Sequence, residues 1–351
     1  MEKILFIGFL AFWFLGCETS EKLENFEKMR IITWNMQALF DGQETGREYD
    51  DYRASAGWTE EKYRGRLNTF ALGLKKISDP PPDILGLIEI ENSQVLADLA
   101  EAFEKSGKNP YNWRFFGANP GGALGLGVLS RIPFEGTFLH SITINGETPP
   151  RPLLEIWFRV KDAPFVCFVC HWKSKLGGDD ETETLRKASA RLILRRLREL
   201  RQEYPAIPVI ILGDLNENYD EFYRKSPRVL ALLPDDPEAA ELAGSAQSDF
   251  LILSRKTPPE PEHFPEDSLV FYSPWSEISD AGSYYFREAW ERIDHFLLSP
   301  GLFDETGWEF SDCQVVQEEA FLKADKPYGY NPRTGGGVSD HLPLLLTLTL
   351  R

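Results

Sequence analysis

Carboxylate, amide and imidazole side chains recur directly after short apolar runs in this chain. Asn35 follows the run IITW, Glu89 lies near the end of DILGLIEI, and His171 follows FVCFVC. Asp214 and Asn216 follow PVIILG, and Asp294 opens DHFLLS. Asp340 and His341 stand just before the last apolar run, after a glycine-rich turn at residues 333–337. Such groups move protons and hold hard cations. Loops at strand ends are where a rigid sheet presents them. Each one taken singly has a plainer role, since Asn and Asp commonly end strands in turns.

The elements that must position these groups are legible from periodicity. Short β-branched or apolar runs at 29–34, 83–90, 126–130, 153–160, 164–170, 208–213, 292–298 and 342–350 read as strands. Residues 59–77 carry Tyr63, Leu67, Phe70, Leu74 and Ile77 at helical spacing, and the breaker Asp79-Pro80-Pro81-Pro82 stops that helix. Ser93 suits the N-cap of a second helix running to about Glu104. Residues 184–204 read as a third helix with Leu185, Leu192, Ile193, Leu197 and Leu200 on one side. Alternating strands and helices predict a layered α/β or α+β fold. The least regular stretch, 218–289, reads as elaborated loops, and no domain boundary is evident after residue 29.

In their order along the chain these motifs resemble the endonuclease/exonuclease/phosphatase superfamily, the deoxyribonuclease-I-like phosphoesterases. The resemblance rests on TWNMQ with Asn35, LIEIEN with Glu89, CHWKS with His171, GDLNEN with Asp214 and Asn216, ERIDHFLLS with Asp294, and SDHLPL with Asp340 and His341. It spans about residues 30–350, and GDLN and SDHLP are its most specific pieces. It implies an α/β (α+β) four-layer sandwich: two packed mixed β-sheets flanked by helices. It also implies a hydrolase of phosphodiester bonds dependent on Mg²⁺, with Mn²⁺ as a substitute.

Hydrolysing a phosphodiester requires neutralising charge on the phosphoryl oxygens and holding an activated water in line. Carried over from the family, Asn35, Glu89 and Asp340 are the expected metal ligands. Asp214 would orient or deprotonate the water, and Asn216 would hold that water or donate to the phosphate. His341 would contact the phosphate with Asp294 fixing its tautomer, and His171 would donate to a phosphoryl or leaving-group oxygen. Glu91 is a runner-up ligand, two residues from Glu89 and so expected on the same strand face. Glu291 competes with Asp294, and alternation turns His295 to the opposite face as a structural residue. The favoured substrate is nucleic acid, cleaved outside the cytoplasm. A sphingomyelinase-like or other lipid or sugar phosphoesterase is the alternative, and a non-catalytic surface-binding lipoprotein is the reading from another class.

Other features have plainer roles. Cys167 and Cys170 are three apart on a strand and lack a second pair, so they read as core thiols rather than a zinc site. Residues 121–127 (GGALGLG) lack the Lys-Ser/Thr ending of a phosphate loop and read as a strand-entry turn. The third helix is rich in arginine, which reads as a solvated face. Arg186 is the one carried forward as a substrate-binding candidate. The aromatics of FYSPW (271–275) and SYYF (283–286) are either core or a rim on which a base could stack.

The N-terminus reads as an address. Ile4 to Gly16 is an unbroken apolar run, too short to span a bilayer and sized for a signal-peptide core. Phe14-Leu15-Gly16-Cys17 resembles a bacterial lipobox, with cleavage before Cys17 and lipidation of its thiol. The expected organisation is a signal peptide at 1–17, a tether at 18–29 and one phosphoesterase domain at 30–351. That predicts an extracytoplasmic, membrane-anchored monomer. Composition is globular, with 42% hydrophobic and 26% charged residues, which excludes disorder, collagen-like repeats and a coiled-coil rod. The 38 Lys and Arg against 55 Asp and Glu leave a charge of −17, which argues against coating nucleic acid by charge alone.

Overall fold

The computed structural model describes residues 26–78, 80–107, 111–141, 151–224, 230–244 and 250–351. The apolar leader, Cys17 and most of the 18–29 tether lie outside the described residues. In chain order the strands are β1 (Lys28–Leu39), β2 (Ile84–Ile90), β3 (Trp113–Gly117), β4 (Gly125–Ser130), β5 (Phe134–His140), β6 (Leu153–Val160), β7 (Ala163–His171), β8 (Val209–Asp214), β9 (Leu232–Pro234), β10 (Leu251–Ser254), β11 (Val270–Tyr272), β12 (Tyr284–Phe286), β13 (Ala289–Glu291), β14 (Asp294–Leu298), β15 (Trp308–Val315), β16 (Leu322–Lys323), β17 (Lys326–Pro327) and β18 (Leu344–Leu350). The helices are α1 (Glu60–Ile77), α2 (Ser93–Ser106), α3 (Asp179–Glu203), α4 (Glu221–Arg224) and α5 (Pro237–Ala243).

Two mixed sheets form, one in the order β15-β18-β1-β2-β4-β3 and one in the order β5-β6-β7-β8-β14-β11-β10-β9. Their central strands read as continuous apolar runs because both faces are covered. β8 is buried at every position, and β2 at every position but Glu89. The sheets pack face to face: Ile32, Leu85, Ile156, Cys167, Leu212 and Phe296 share one core with α1 and α2. At its centre the approach is so close that a Cβ on Gly86 would lie 2.2 Å from Leu212 Cδ1. The outer face of the second sheet packs on α3 through Val166, Phe168, Ile211, Ile193 and Leu197. Helices, sheet, sheet and helix make the expected four layers. Cys167 and Cys170 are buried free thiols in the inner and outer cores respectively, as alternation requires.

Several boundaries and one region differ from expectation. β1 runs five residues past Trp34. Asn92, not Ser93, caps α2, because its side chain accepts the Val95 N–H. The 218–289 stretch is not merely loops. β9, β10 and β11 extend the second sheet with parallel strands over a small core of Phe222, Leu233, Phe250, Phe264 and Val270. Strands of three or four residues carry too little periodicity to be read from sequence. No helix among the described residues is long and apolar enough to cross a membrane.

Candidate active site

Register aligns the chemistry. β7 pairs with β8 so that His171 faces Asp214, and β14 pairs with the other edge of β8 so that Asp294 faces Asp214. One row across the second sheet therefore carries His171, Asp214 and Asp294. Gly213 precedes Asp214 at φ 134°, and a Cβ there would strike Cys170 O at 1.9 Å, so only glycine admits this strand end. The first sheet contributes Asn35 from β1, Glu89 from β2, and Asp340 and His341 from the loop before β18. Asn35 Nδ2 donates to Asp214 Oδ2 at 3.0 Å and joins the two sheets across the site.

Asp294 Oδ2 accepts from His341 Nδ1 at 2.8 Å and from Ser283 Oγ at 2.6 Å, and its second oxygen is buried without a hydrogen-bond partner. Burial opposes charge on His341, but the charge and hydrogen bond of Asp294 outweigh it and raise the imidazole to about 10. His341 is thus a cation with its Nε2 edge free of Asp294. His171 Nε2 lies 3.6 Å from Asp214 Oδ2 and 3.7 Å from Glu89 Oε1. Burial, then the charges of Arg151, His341 and Lys173, hold His171 well below the usual imidazole range, so it is neutral. Asp214 Oδ1 accepts the Asn216 N–H at 2.9 Å, while Asn216 Nδ2 donates to Trp172 O at 3.1 Å. Burial and the Asp294 charge push the Asp214 carboxyl to about 7, and burial likewise raises Asp340, with Glu89 adding to it.

The structure brings together Asn35, Glu89, His171, Asp214, Asn216, Asp294, Asp340 and His341. It excludes Arg186. That guanidinium is 1% exposed, donating to Lys173 O and Thr182 Oγ1 and pairing with Glu183 and Glu217. It is spent inside the protein on fixing the loop after His171. Glu91 is also corrected: Glu89 sits at a bulge with φ 65°, which breaks alternation, and Glu91 instead accepts the Asp41 N–H. Glu291 accepts from Asn218, and His295 is buried against Glu217 O on the far face.

The aromatics divide. Phe271, Tyr272 and Trp275 are core, whereas the Tyr284 ring stacks on His341 at 4.4 Å and 23°, and Phe286 beside it is 47% exposed. Residues the sequence did not single out complete the site. Ser283 holds Asp294, Ser339 Oγ donates to Asn35 O, and Arg151 adds positive charge near His171 and Asp214. Ser339 stood inside SDHLPL, but nothing local marked Arg151.

Asp214, Asp294 and His341 each bring a ligating atom within 4.8 Å of the others. The His341–Asp294 hydrogen bond occupies two of those groups, so the cluster suits proton chemistry better than a closed cage. Glu89, Asp340 and the Asn35 amide oxygen remain as a hard-oxygen set. Four carboxylates, Glu89, Asp214, Asp294 and Asp340, outnumber the cations His341 and Arg151 here, and one Asp294 oxygen is buried without a partner, an excess of hard oxygen that a divalent cation fits.

Residues 30–245 match the endonuclease/exonuclease/phosphatase family, and the chain belongs to it. Members of this family are hydrolases of phosphoester bonds and typically use divalent metals. Solved proteins of low sequence identity share the fold. A family protein from Leptotrichia buccalis is 13% identical, with a TM-score of 0.52 over 92% of this chain and 100% of that one. The human Nocturnin catalytic domain, solved with a bound sulfate anion, is 14% identical with a TM-score of 0.51 over 92% and 95%. Truncated Caenorhabditis elegans TDP2 is 16% identical with a TM-score of 0.53 over 92% and 98%. No curated relative matches the chain.

Proposed function

We propose that this protein is a divalent-metal-dependent phosphodiesterase acting on nucleic acid outside the cytoplasm. The observation that carries this reading is the buried row His171–Asp214–Asp294 set against His341, held by Asp294 at 2.8 Å, and a hard-oxygen set on the facing sheet. Glu89, Asp340 and Asn35 would hold Mg²⁺, which supplies positive charge to the phosphoryl oxygens when bound. Asp214 accepts a proton from the attacking water, and Asn216 fixes that carboxylate through its backbone N–H. His341 meets the phosphate as an imidazolium oriented by Asp294. Neutral His171 donates its single N–H to a phosphoryl or leaving-group oxygen.

The half-exposed Phe286, two ring steps from His341 through Tyr284, favours a substrate with planar bases over a lipid headgroup. The apolar leader ending in Cys17 supports lipid anchoring. Cys17→Ser is expected to move the protein from the membrane to the soluble fraction.

The test uses residues 18–351 and a bis-aryl phosphodiester with Mg²⁺, Mn²⁺ or EDTA. EDTA-sensitive turnover is expected, lost in His341→Ala. Full turnover in that variant sinks the residue assignment. Absence of any metal-dependent turnover returns the chain to a non-catalytic, surface-binding role. Single-stranded DNA, RNA, sphingomyelin and phosphoinositide run in parallel decide the substrate class.

A further inference from the structure

Arg66, in the middle of α1, is 1% exposed and forms no salt bridge among the described residues, with Asp340 acting on its charge only from a distance. Its guanidinium lies 4.1 Å from the Tyr330 ring centre, with Phe70 and Tyr52 also close. Its Nη2 donates to Met36 O at 2.6 Å and Gln37 O at 2.7 Å, and its Nη1 to Ala38 O at 3.0 Å and the Tyr52 hydroxyl at 3.3 Å, while the buried Nε has no hydrogen-bond partner. Burying a cation without a counter-ion costs several kcal/mol. An apolar side chain would fill the same core at lower cost, so packing alone does not account for an arginine here.

The three carbonyls belong to an irregular segment of β1. Asn35 pairs with Ile88 and Leu39 with Ile90, so three residues of β1 stand opposite Glu89 alone. Within that segment Gln37 and Ala38 both have positive φ, 51° and 56°. A trans peptide points its C=O and N–H in opposite directions. The N–H partners of the Met36 and Gln37 carbonyls are those of Gln37 and Ala38. Drawing both carbonyls onto Arg66 therefore turns both N–H groups toward the site. There Gln37 N–H donates to Asn35 Oδ1 at 3.0 Å and Ala38 N–H to Glu89 Oε2 at 2.7 Å. The Gln37 side chain continues the brace, since its Oε1 accepts from the backbone N–H of Tyr330 at 2.6 Å and of Asp340 at 3.0 Å.

We infer that Arg66 is the positioning residue of the cation site, aiming Asn35 and Glu89 through two peptide planes and Asp340 through Gln37. This rests on the phosphodiesterase reading, because it presumes that Asn35, Glu89 and Asp340 hold Mg²⁺. Arg66 touches neither cation nor substrate. It acts by holding a strained bulge in the one orientation that presents these oxygens together.

The experiment measures Mg²⁺ affinity of the full chain by titration calorimetry, beside kcat/KM and the thermal midpoint, for wild type, Arg66→Ala, Arg66→Lys and Arg196→Lys. Arg196 is a matched control, a largely buried arginine held by Glu155 on the outer side of the second sheet. Arg66→Lys keeps the charge but lacks the planar fork that holds two carbonyls at once. It is expected to fold and to lose about 10–100-fold in Mg²⁺ affinity, with kcat/KM falling in parallel. Arg66→Ala loses at least as much if it folds, and Arg66→Lys carries the test if it does not. Arg196→Lys keeps wild-type affinity. A folded Arg66→Lys protein with unchanged Mg²⁺ affinity overturns the inference alone. Wild type that binds no Mg²⁺ overturns the phosphodiesterase reading itself, and this inference with it.

Discussion

Asp214 carries a carboxyl that its surroundings discourage from ionising, and the reaction proposed for it needs the ionised form. Burial and Asp294 raise it to about 7 from an ordinary 3.8, so the folded state binds this proton more tightly than the unfolded chain. For such a group, stability is undiminished below the unfolded value. It is lost as pH rises from there through the folded value, a cost of roughly a few kcal/mol at pH 8. Asp214→Asn is therefore expected to melt higher than wild type at pH 8 in EDTA, with the gap closing toward pH 4, while its metal-dependent turnover falls about 10²–10⁴-fold. A variant that melts lower at pH 8 would remove the argument that this carboxylate is held against its own stability. The residue types were legible at this scale, because GDLN and SDHLP place carboxylate, amide and imidazole beside one another. Their charge states were not, since each depends on neighbours tens of residues or more away, as Asp214 does on Asp294.

Strand β14 shows how one element serves site and core at once. Asp294 faces the site while His295, the next residue, is wholly buried with Nε2 against Glu217 O at 2.9 Å. Burial lowers His295 to about 4. A depressed histidine is neutral in the fold, so its contribution is full above the unfolded value of 6.5 and is lost as pH falls toward 4, by about 3 kcal/mol. His295→Gln should flatten the fall in thermal midpoint between pH 6.5 and 4, and an unchanged slope there would show that another group governs it. The β12–β13 hairpin is the second such element. It turns through Arg287 and Glu288, both at positive φ, and is tied to the site by an isolated bridge between Tyr284 and His341. Phe286→Ala should raise KM for a single-stranded oligonucleotide about 5–100-fold, the worth of one stacked base, and leave a small aryl phosphodiester unaffected. Equal losses on both substrates would instead mean that Phe286 supports the catalytic groups. The alternation behind β14 was readable in sequence, whereas a three-residue hairpin strand was not.

At the scale of the molecule, two sheets must pack before any site exists, because Asn35 and Glu89 come from one and His171, Asp214 and Asp294 from the other. A ligand that binds only the folded state stabilises it by RT ln(1 + [L]/Kd), about 2.7 kcal/mol at 100 Kd. Saturating Mg²⁺ is expected to raise the thermal midpoint, EDTA to reverse it, and Glu89→Gln to abolish it. A shift that survives in Glu89→Gln would place the cation elsewhere. By itself the sequence determined the strand-end groups, the family they spell and the sandwich it implies, because apolar runs and short motifs are local properties of the chain. Only the tertiary structure decided that Arg186 is buried in structural contacts and that Arg66 braces β1 beneath Glu89. It also decided that one aromatic cluster is core while the other lines the site. The reason is physical: burial, peptide-plane orientation and ring stacking are set by what packs opposite a residue, and that is decided only when the elements come together.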